Sequence, residues 1–177
     1  MKKLLSVLLL IVLCMTGCTS STTTVKEEKT TGDVIEENST EDANECAYII
    51  NDTTIIPGKD FAPMLESLGE PVQYSEAASC YYDGMDKVYS YDGFEVKTYP
   101  SGDKDFVQDI CMSSDSYKTP EGVTVGSTLE DVTNAYGEDY ELIGKMYKYY
   151  FTEDTYMYFF IMNDAVKYFG YAIDAAN

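Results

Sequence analysis

The sequence contains no histidine, no arginine and no tryptophan, and these absences exclude several kinds of chemistry. Without histidine there is no imidazole to bind a metal, and no Ser-His or Cys-His dyad to activate a nucleophile. Without arginine there is no guanidinium to bind a phosphate through two parallel hydrogen bonds. The sequence also contains no Gly-rich phosphate loop and no EF-hand loop. We therefore predict neither a metal site nor a cofactor.

Positive charge is scarce throughout the chain. The 12 lysines are outnumbered by 31 acidic residues, which gives a formal net charge of −19 at pH 7. Such a surface repels nucleic acid and anionic lipid, so we expect no nucleic-acid partner. A basic partner is one interpretation of this charge, and the solubility that acidic side chains confer is the other.

The N-terminus has the features of an export signal. Two lysines precede an apolar run over residues 4–13, which is too short to span a membrane. The sequence Thr16-Gly17-Cys18 follows, and here the chain resembles a bacterial lipoprotein signal, whose cysteine is acylated after cleavage. This resemblance implies a signal peptide over residues 1–17 and lipidation at Cys18. It also implies a location on the outer face of the cell membrane, and we expect the bacterium to be Gram-positive. The alternative is an ordinary secretory signal that is cleaved nearby.

A polar segment separates this signal from the rest of the chain. Residues 18–45 are rich in Thr, Ser, Glu, Asp, Asn and Lys and offer little apolar surface to bury, which predicts a disordered tether. Residues 46–177 are numerous enough to form a substantial core, and we predict that they form a single domain.

One stretch of this domain occurs twice, at residues 57–70 and 125–138, with a constant offset of 68 positions. In each copy, apolar residues recur at helical spacing and a glycine follows, Gly69 in the first and Gly137 in the second. Ser127 has the sequence context of an N-cap. Both copies therefore predict a short helix that ends at a glycine with positive φ.

Extended segments follow each predicted helix. After the second helix, the apolar pattern predicts strands at about 146–151, 155–162 and 165–173. Each half of the domain, about 46–118 and 119–177, then consists of a helix followed by an antiparallel meander. The expected fold class is α+β, a tandem repeat of a short helix and a β-meander with the helices packed on one face of a sheet.

These residues also carry a family likeness. The second copy and its meander resemble the small helix-plus-meander lipoprotein domains, which include the small lipoprotein subunit of the outer-membrane β-barrel assembly machine. Two copies on one chain resemble the β-lactamase-inhibitory-protein architecture. Shorter phrases are similar to uncharacterised lipoproteins of Gram-positive gut bacteria: Ser79-Cys80, Asp86-Lys87-Val88-Tyr89, Gly93-Phe94-Glu95, Thr98-Tyr99-Pro100 and Thr119-Pro120-Glu121-Gly122. The named relatives bind different proteins, so the resemblance implies a fold without naming a partner.

Three cysteines remain in the predicted domain, an odd number for a chain in an oxidising compartment. Cys46 and Cys80 are the best candidates for a disulfide, and Cys111 fits a small buried apolar residue. The acidic surroundings provide no neighbour that stabilises a thiolate, so we predict no catalytic cysteine.

Tyrosine is abundant, and the predicted strands near the C-terminus have apolar side chains on both faces. One interpretation is that another segment covers the second face. The other is that a tyrosine-rich face contacts a protein, peptide or glycan, since tyrosine combines a large contact area with a polar tip. The candidate contact residues are Tyr147, Tyr149, Tyr156, Tyr158, Tyr168 and Tyr171.

The sequence therefore favours a lipid-anchored cell-surface binding module of unknown ligand that acts by contact, not catalysis. One alternative is a carboxylate-based hydrolase of cell-wall glycan, because that chemistry needs only two acidic residues. A further alternative is a structural subunit of an envelope complex.

Overall fold

The computed structural model describes residues 45–174. The predicted signal peptide, Cys18 and all of the predicted tether except residue 45 lie outside these residues. Within them the chain forms two helices and ten strands. The helices are α1 (Ala62–Leu68) and α2 (Leu129–Tyr136). The strands are β1 (Tyr48–Ile50), β2 (Thr53–Ile55), β3 (Gln73–Ala78), β4 (Met85–Tyr91), β5 (Phe94–Ser101), β6 (Lys104–Met112), β7 (Glu141–Ile143), β8 (Met146–Tyr150), β9 (Thr155–Ile161) and β10 (Val166–Ile173).

One large antiparallel sheet dominates the described part of the chain. It contains eight strands in the order β3-β4-β5-β6-β10-β9-β8-β7, while β1 and β2 form a separate hairpin. The two halves of the sheet join where β10 pairs with β6, and Phe169 lies opposite Met112 at this junction. The segments that precede and follow residue 118 therefore share one continuous sheet.

The expected α+β fold, built from repeated helix-plus-meander units, is wrong. Strands make up 48% of the described residues and helices only 12%, so the domain is mostly β. The physical reason lies in the helices, which have seven and eight residues and are too short to form a layer of their own. Every residue of α1 is at least partly exposed, and α2 buries Val132.

The two faces of the sheet differ in what packs on them. We call one the covered face; it presents Val96, Ile110, Phe159 and Phe169, all essentially inaccessible to solvent. The hairpin, both helices and the loop 113–128 contribute their apolar side chains to the core on this face. The opposite face, which we call the open face, presents polar and aromatic side chains, among them Lys97, Asp109 and Tyr158.

The glycines at the two helix C-termini lie as predicted, whereas the N-cap of α2 lies one residue later than predicted. Gly69 and Gly137 have φ values of 77° and 82° at the two C-termini, which confirms that each helix stops at a glycine with positive φ. The capping box of α2 uses Thr128 and Asp131, one residue later than Ser127. Ser127 instead accepts a hydrogen bond from the backbone N–H of Thr124.

Candidate functional site

The six tyrosines predicted to contact a partner lie on opposite faces of the sheet. In the register of β8, β9 and β10, Tyr149 lies opposite Met157, and Met157 lies opposite Tyr171. These side chains point to the covered face, because neighbours opposite one another in a sheet share a face. The covered face carries Tyr147, Tyr149 and Tyr171, whereas the open face carries Tyr156, Tyr158 and Tyr168.

Burial separates these tyrosines further. Tyr149, Tyr158 and Tyr171 are 8%, 4% and 3% exposed, and the other three are partly exposed. The interpretation of the six as one exposed aromatic surface is therefore wrong, since three are buried and the six do not share a face. Their participation in binding stays a prediction.

A network of polar contacts crosses the open face. The Tyr158 hydroxyl donates to Asp109 Oδ1 at 2.8 Å, and the Lys97 ammonium donates to Asp109 Oδ2 at 3.1 Å. Both oxygens of this carboxylate are thus engaged. Cys111 lies beside the network, and burial raises the pKa of its thiol to about 11. A thiol with such a pKa remains protonated near neutral pH and is a poor nucleophile.

Gly170 explains how Tyr158 reaches across the open face. Gly170 lies opposite Tyr158 in the register, and a Cβ at position 170 would lie 2.5 Å from the Tyr158 hydroxyl oxygen and 2.4 Å from the Ile110 carbonyl oxygen. The tyrosine ring therefore passes over the glycine, and its hydroxyl extends to Asp109 on β6. The network depends on the absence of a side chain at this position.

A second buried charge lies on the same face. The Lys148 side chain is only 10% exposed, and its ammonium lies 3.1 Å from Asp174 Oδ1. The same ammonium lies 3.7 Å from the centroid of the Tyr156 ring. A carboxylate and an aromatic ring together stabilise this cation. Asp174 and Tyr156 line an open-face depression of about 610 Å³, together with Tyr158, Asp109 and Lys97.

The larger cavity lies on the covered face and has a volume of about 850 Å³. We call it the aromatic cavity. Met157 lies between Tyr149 and Tyr171 in the sheet, and all three line the cavity. Tyr48 of the hairpin packs on Tyr171 with ring centroids 5.4 Å apart, and Tyr136 of α2 packs on Tyr149 at 5.6 Å. Two pairs of tyrosine rings therefore line the cavity.

A tight turn supplies the carboxylate nearest these rings. In the turn Thr119-Pro120-Glu121-Gly122, the Gly122 N–H donates to the Thr119 carbonyl at 2.9 Å, and proline at the second position favours this geometry. Gly122 has a φ of 91°, which favours glycine. The turn presents Glu121 to the cavity, where its carboxylate accepts a hydrogen bond from the Tyr136 hydroxyl. Burial and this carboxylate raise the pKa of Tyr136.

Hydrogen bonds to the backbone hold two of the tyrosine hydroxyl groups at the cavity. Tyr48 donates to the Lys118 carbonyl at 2.8 Å, and Tyr149 donates to the Gly137 carbonyl at 3.1 Å. Tyr171 is only 3% exposed. Burial is the main cause that raises the pKa of Tyr171, followed by Tyr48 and Glu121.

The predicted Cys46–Cys80 disulfide is wrong. Cys46 is buried, with its Sγ 3.5 Å from the Tyr156 carbonyl oxygen, whereas Cys80 is exposed beyond the end of β3. Between β3 and β9 lie four strands of the sheet, and neighbouring strands are about 4.8 Å apart. Two cysteines form a disulfide only when their Cα atoms are within roughly 7 Å. Cys46, Cys80 and Cys111 are all free thiols.

The sequence interpretation missed most residues of the aromatic cavity, among them Tyr48, Tyr136 and Glu121. Tyr136 is one of the apolar residues that recur at helical spacing in the second copy of the repeated stretch. A signal was nevertheless present, because Glu121 follows a proline and precedes a glycine, and such a turn presents a side chain at its tip.

Two negative findings concern the described part of the chain. Between residues 45 and 174, no group of His, Cys, Asp and Glu side chains is arranged to hold a metal ion. No helix in this range is long and apolar enough to cross a membrane.

Comparison with known proteins yields a likeness of fold. No protein-family model and no curated protein matches the chain. A match among solved structures is the 1.5 Å crystal structure of an extracellular protein containing an SCP domain from Bacillus anthracis strain Ames, with a TM-score of 0.51 and 17% sequence identity. The match covers 85% of this chain and 50% of that chain, so this chain spans about half the length of its structural neighbour.

Proposed function

We propose that this chain is a binding protein of the cell envelope, anchored through lipid on Cys18, and that the aromatic cavity is its ligand site. The volume of about 850 Å³ lies within the range of ligand sites, roughly 300–1,000 Å³. Such sites combine apolar and aromatic walls with a few polar groups that orient the ligand. Tyr48, Tyr136, Tyr149 and Met157 supply walls of this kind, and Glu121 supplies a polar group.

The observation that carries this proposal is the convergence of tyrosine rings from three parts of the fold on one cavity. Tyr48 comes from the hairpin, Tyr136 from α2, and Tyr149 and Tyr171 from the sheet. The hydroxyl groups of Tyr48, Tyr136 and Tyr149 are held by protein partners, which fixes the positions of these rings. Glu121 adds a carboxylate to the same walls.

The contacts of the carboxylates favour binding over glycan hydrolysis. A glycosidase needs one carboxylic acid that donates a proton and a second carboxylate that acts as base or nucleophile. On the open face, Asp109 already accepts from Tyr158 and Lys97. In the cavity, Glu121 accepts from Tyr136. Each of these carboxylates is therefore already engaged by hydrogen-bond donors of the chain itself.

Photo-crosslinking in living cells tests the proposal with the full chain. A photoreactive phenylalanine analogue replaces Asp139, which is exposed and lines the cavity. The matched control carries the analogue at Asp103, which is exposed at the turn between β5 and β6. We expect an adduct of defined mass at position 139 and none at position 103. Identical adduct patterns at the two positions, or no adduct at 139, would overturn the assignment of the cavity as a ligand site.

A further inference from the structure

We infer that the ligand of the aromatic cavity carries an organic ammonium group, an inference that rests on the proposed function. The faces of aromatic rings carry negative charge density and attract ammonium ions, and several rings together form a cage for them. The rings of Tyr48, Tyr136, Tyr149 and Tyr171 line the cavity from different elements. A cage of this kind is suited to a cation and offers no advantage to an anion.

The charged groups at the cavity point to the same ligand. Three carboxylates line it, from Glu45, Glu121 and Asp139, against the single ammonium of Lys118. Glu121 is the best placed, because its carboxylate contacts Tyr136 and acts electrostatically on Tyr171. The whole chain has a formal net charge of −19, which attracts cations over longer distances.

The lysine at the cavity does not already fill the cage. Lys118 is exposed, and its backbone carbonyl is the acceptor for Tyr48. Among residues 45–174, the cation–π contacts are those that Lys148 makes with Tyr150, which also lines the cavity, and with Tyr156. Neither contact involves the four rings of Tyr48, Tyr136, Tyr149 and Tyr171.

The same chain shows how such a cation is stabilised. On the open face, the Lys148 ammonium lies 3.7 Å from the Tyr156 ring centroid and 3.1 Å from Asp174 Oδ1. The Lys148 side chain is only 10% exposed, and two tyrosine rings and one carboxylate are the partners of its ammonium. The aromatic cavity offers the same chemical groups in larger number, with Glu121 as the carboxylate.

The size of the cavity constrains the rest of the ligand. A volume of about 850 Å³ is much larger than a trimethylammonium group, so the ammonium is one part of a larger molecule. Small ammonium compounds are therefore expected to bind weakly and measurably.

Isothermal titration calorimetry on the full chain in a non-ionic maltoside detergent tests this inference. The first probe is choline, and its control is 3,3-dimethylbutan-1-ol, which has the same shape without the charge. Nα-acetyl-lysine methylamide is a third probe that distinguishes a primary from a quaternary ammonium. We expect one of the two cations to bind about tenfold more tightly than the neutral alcohol, as for a partly desolvated cation–π site.

Charge substitutions sharpen the test. Glu121→Gln retains an acceptor for Tyr136 and removes the charge, so it should weaken cation binding severalfold and leave the neutral alcohol unaffected. Lys118→Ala removes the opposing charge and should strengthen cation binding. Glu153→Gln is the matched control, because Glu153 is exposed and does not line the cavity. Circular dichroism establishes that each variant is folded.

The outcomes separate this inference from the proposed function. Equal affinity for choline, the lysine derivative and the neutral alcohol would overturn the ammonium inference and leave the cavity as a ligand site. Adduct formation at position 139 without binding of either cation would do the same. Absence of both binding and adducts would overturn the inference and the proposed function together.

Discussion

Replacing Gly170 with alanine tests how the open face is constructed. The new Cβ would lie 2.4 Å from the Ile110 carbonyl oxygen and 2.5–2.6 Å from the hydroxyl oxygen and Cζ of Tyr158. The Ile110 oxygen belongs to the backbone of β6, so relief there requires β6 and β10 to separate. Relief at Tyr158 requires the ring to leave its position over residue 170, which breaks the 2.8 Å hydrogen bond to Asp109.

The expected loss of stability follows from these contacts. A hydrogen bond to a charged group contributes about 1.5–3 kcal/mol, and overpacking costs about 1–3 kcal/mol. Alanine leaves the unfolded chain with less conformational entropy than glycine does. This effect offsets about 0.4–1 kcal/mol of the loss in the free energy of unfolding. We therefore expect Gly170→Ala to lower the free energy of unfolding by about 2–5 kcal/mol.

Urea denaturation followed by circular dichroism measures this change. Tyr158→Phe is the control for the hydrogen bond alone and should cost about 1.5–3 kcal/mol. In a Tyr158→Ala background, Gly170→Ala should destabilise the protein less, because the close contact with the Tyr158 side chain no longer exists. The loss of stability that remains measures the close contact with the Ile110 carbonyl oxygen. If Gly170→Ala changed stability by less than about 0.5 kcal/mol, the typical effect of a neutral surface substitution, the account of this face would be refuted.

Three further predictions concern the anchor, the thiols and a helix end. Cys18→Ala should move the chain from the membrane pellet to the soluble fraction without lowering its thermal midpoint; retention on membranes after a salt wash would exclude the lipid anchor. Iodoacetamide should label Cys80 rapidly at pH 8 and spare Cys46 and Cys111, as peptide mass spectrometry can establish. Burial raises the pKa of Cys46 to about 12 and that of Cys111 to about 11, from 9.0. An unfolded thiol therefore releases its proton first, so the contribution of the thiols to stability should be level well below pH 9 and decline between pH 9 and 11, less steeply in Cys111→Ala. Gly137→Val should cost about 1–3 kcal/mol in urea denaturation, because φ 82° and ψ −168° form a combination that favours glycine; an unchanged midpoint would contradict this.

The strands near the C-terminus were the most predictable part of the fold. Predicted strands at about 146–151, 155–162 and 165–173 correspond to β8, β9 and β10 within one residue at each end. Their dense tyrosine, phenylalanine and β-branched content favours extended structure locally, so no distant contact was needed to recognise them. Both helix-ending glycines were predictable for the same reason, because a positive φ is a local requirement.

The fold class and the site depended on contacts that are not local. The pairing of β6 with β10 joins residues about sixty positions apart and creates the single sheet. The register of β8 and β9 decides which tyrosines share a face: Tyr149 pairs with Met157, so it lies on the face opposite Tyr156 and Tyr158. A shift of one residue exchanges the faces of a whole strand, and the apolar pattern could not fix this because both faces of β9 are apolar.

The cavity itself required the assembly of four separate elements. The hairpin contributes Tyr48, the loop 113–128 contributes Glu121, α2 contributes Tyr136 and the sheet contributes Tyr149 and Tyr171. Each of these residues has an ordinary local role in the sequence, as a strand residue, a turn residue or a helix residue. Their convergence depends on tertiary packing on one face of the sheet.

The hydroxyl of Tyr149 connects the stability of the fold with the construction of the cavity. The side chain is almost fully buried, and its hydroxyl donates to the Gly137 carbonyl at 3.1 Å. Tyr149→Phe removes a hydrogen bond and leaves an acceptor unsatisfied, so it should lower the free energy of unfolding by about 0.5–1.5 kcal/mol or more.

Urea denaturation of this variant and of the unaltered chain measures the change. An unchanged free energy of unfolding would mean that the 3.1 Å hydrogen bond to the Gly137 carbonyl does not stabilise the fold. The expected loss would mean that the hydroxyl of Tyr149 helps to hold its ring in the wall of the cavity before any ligand binds.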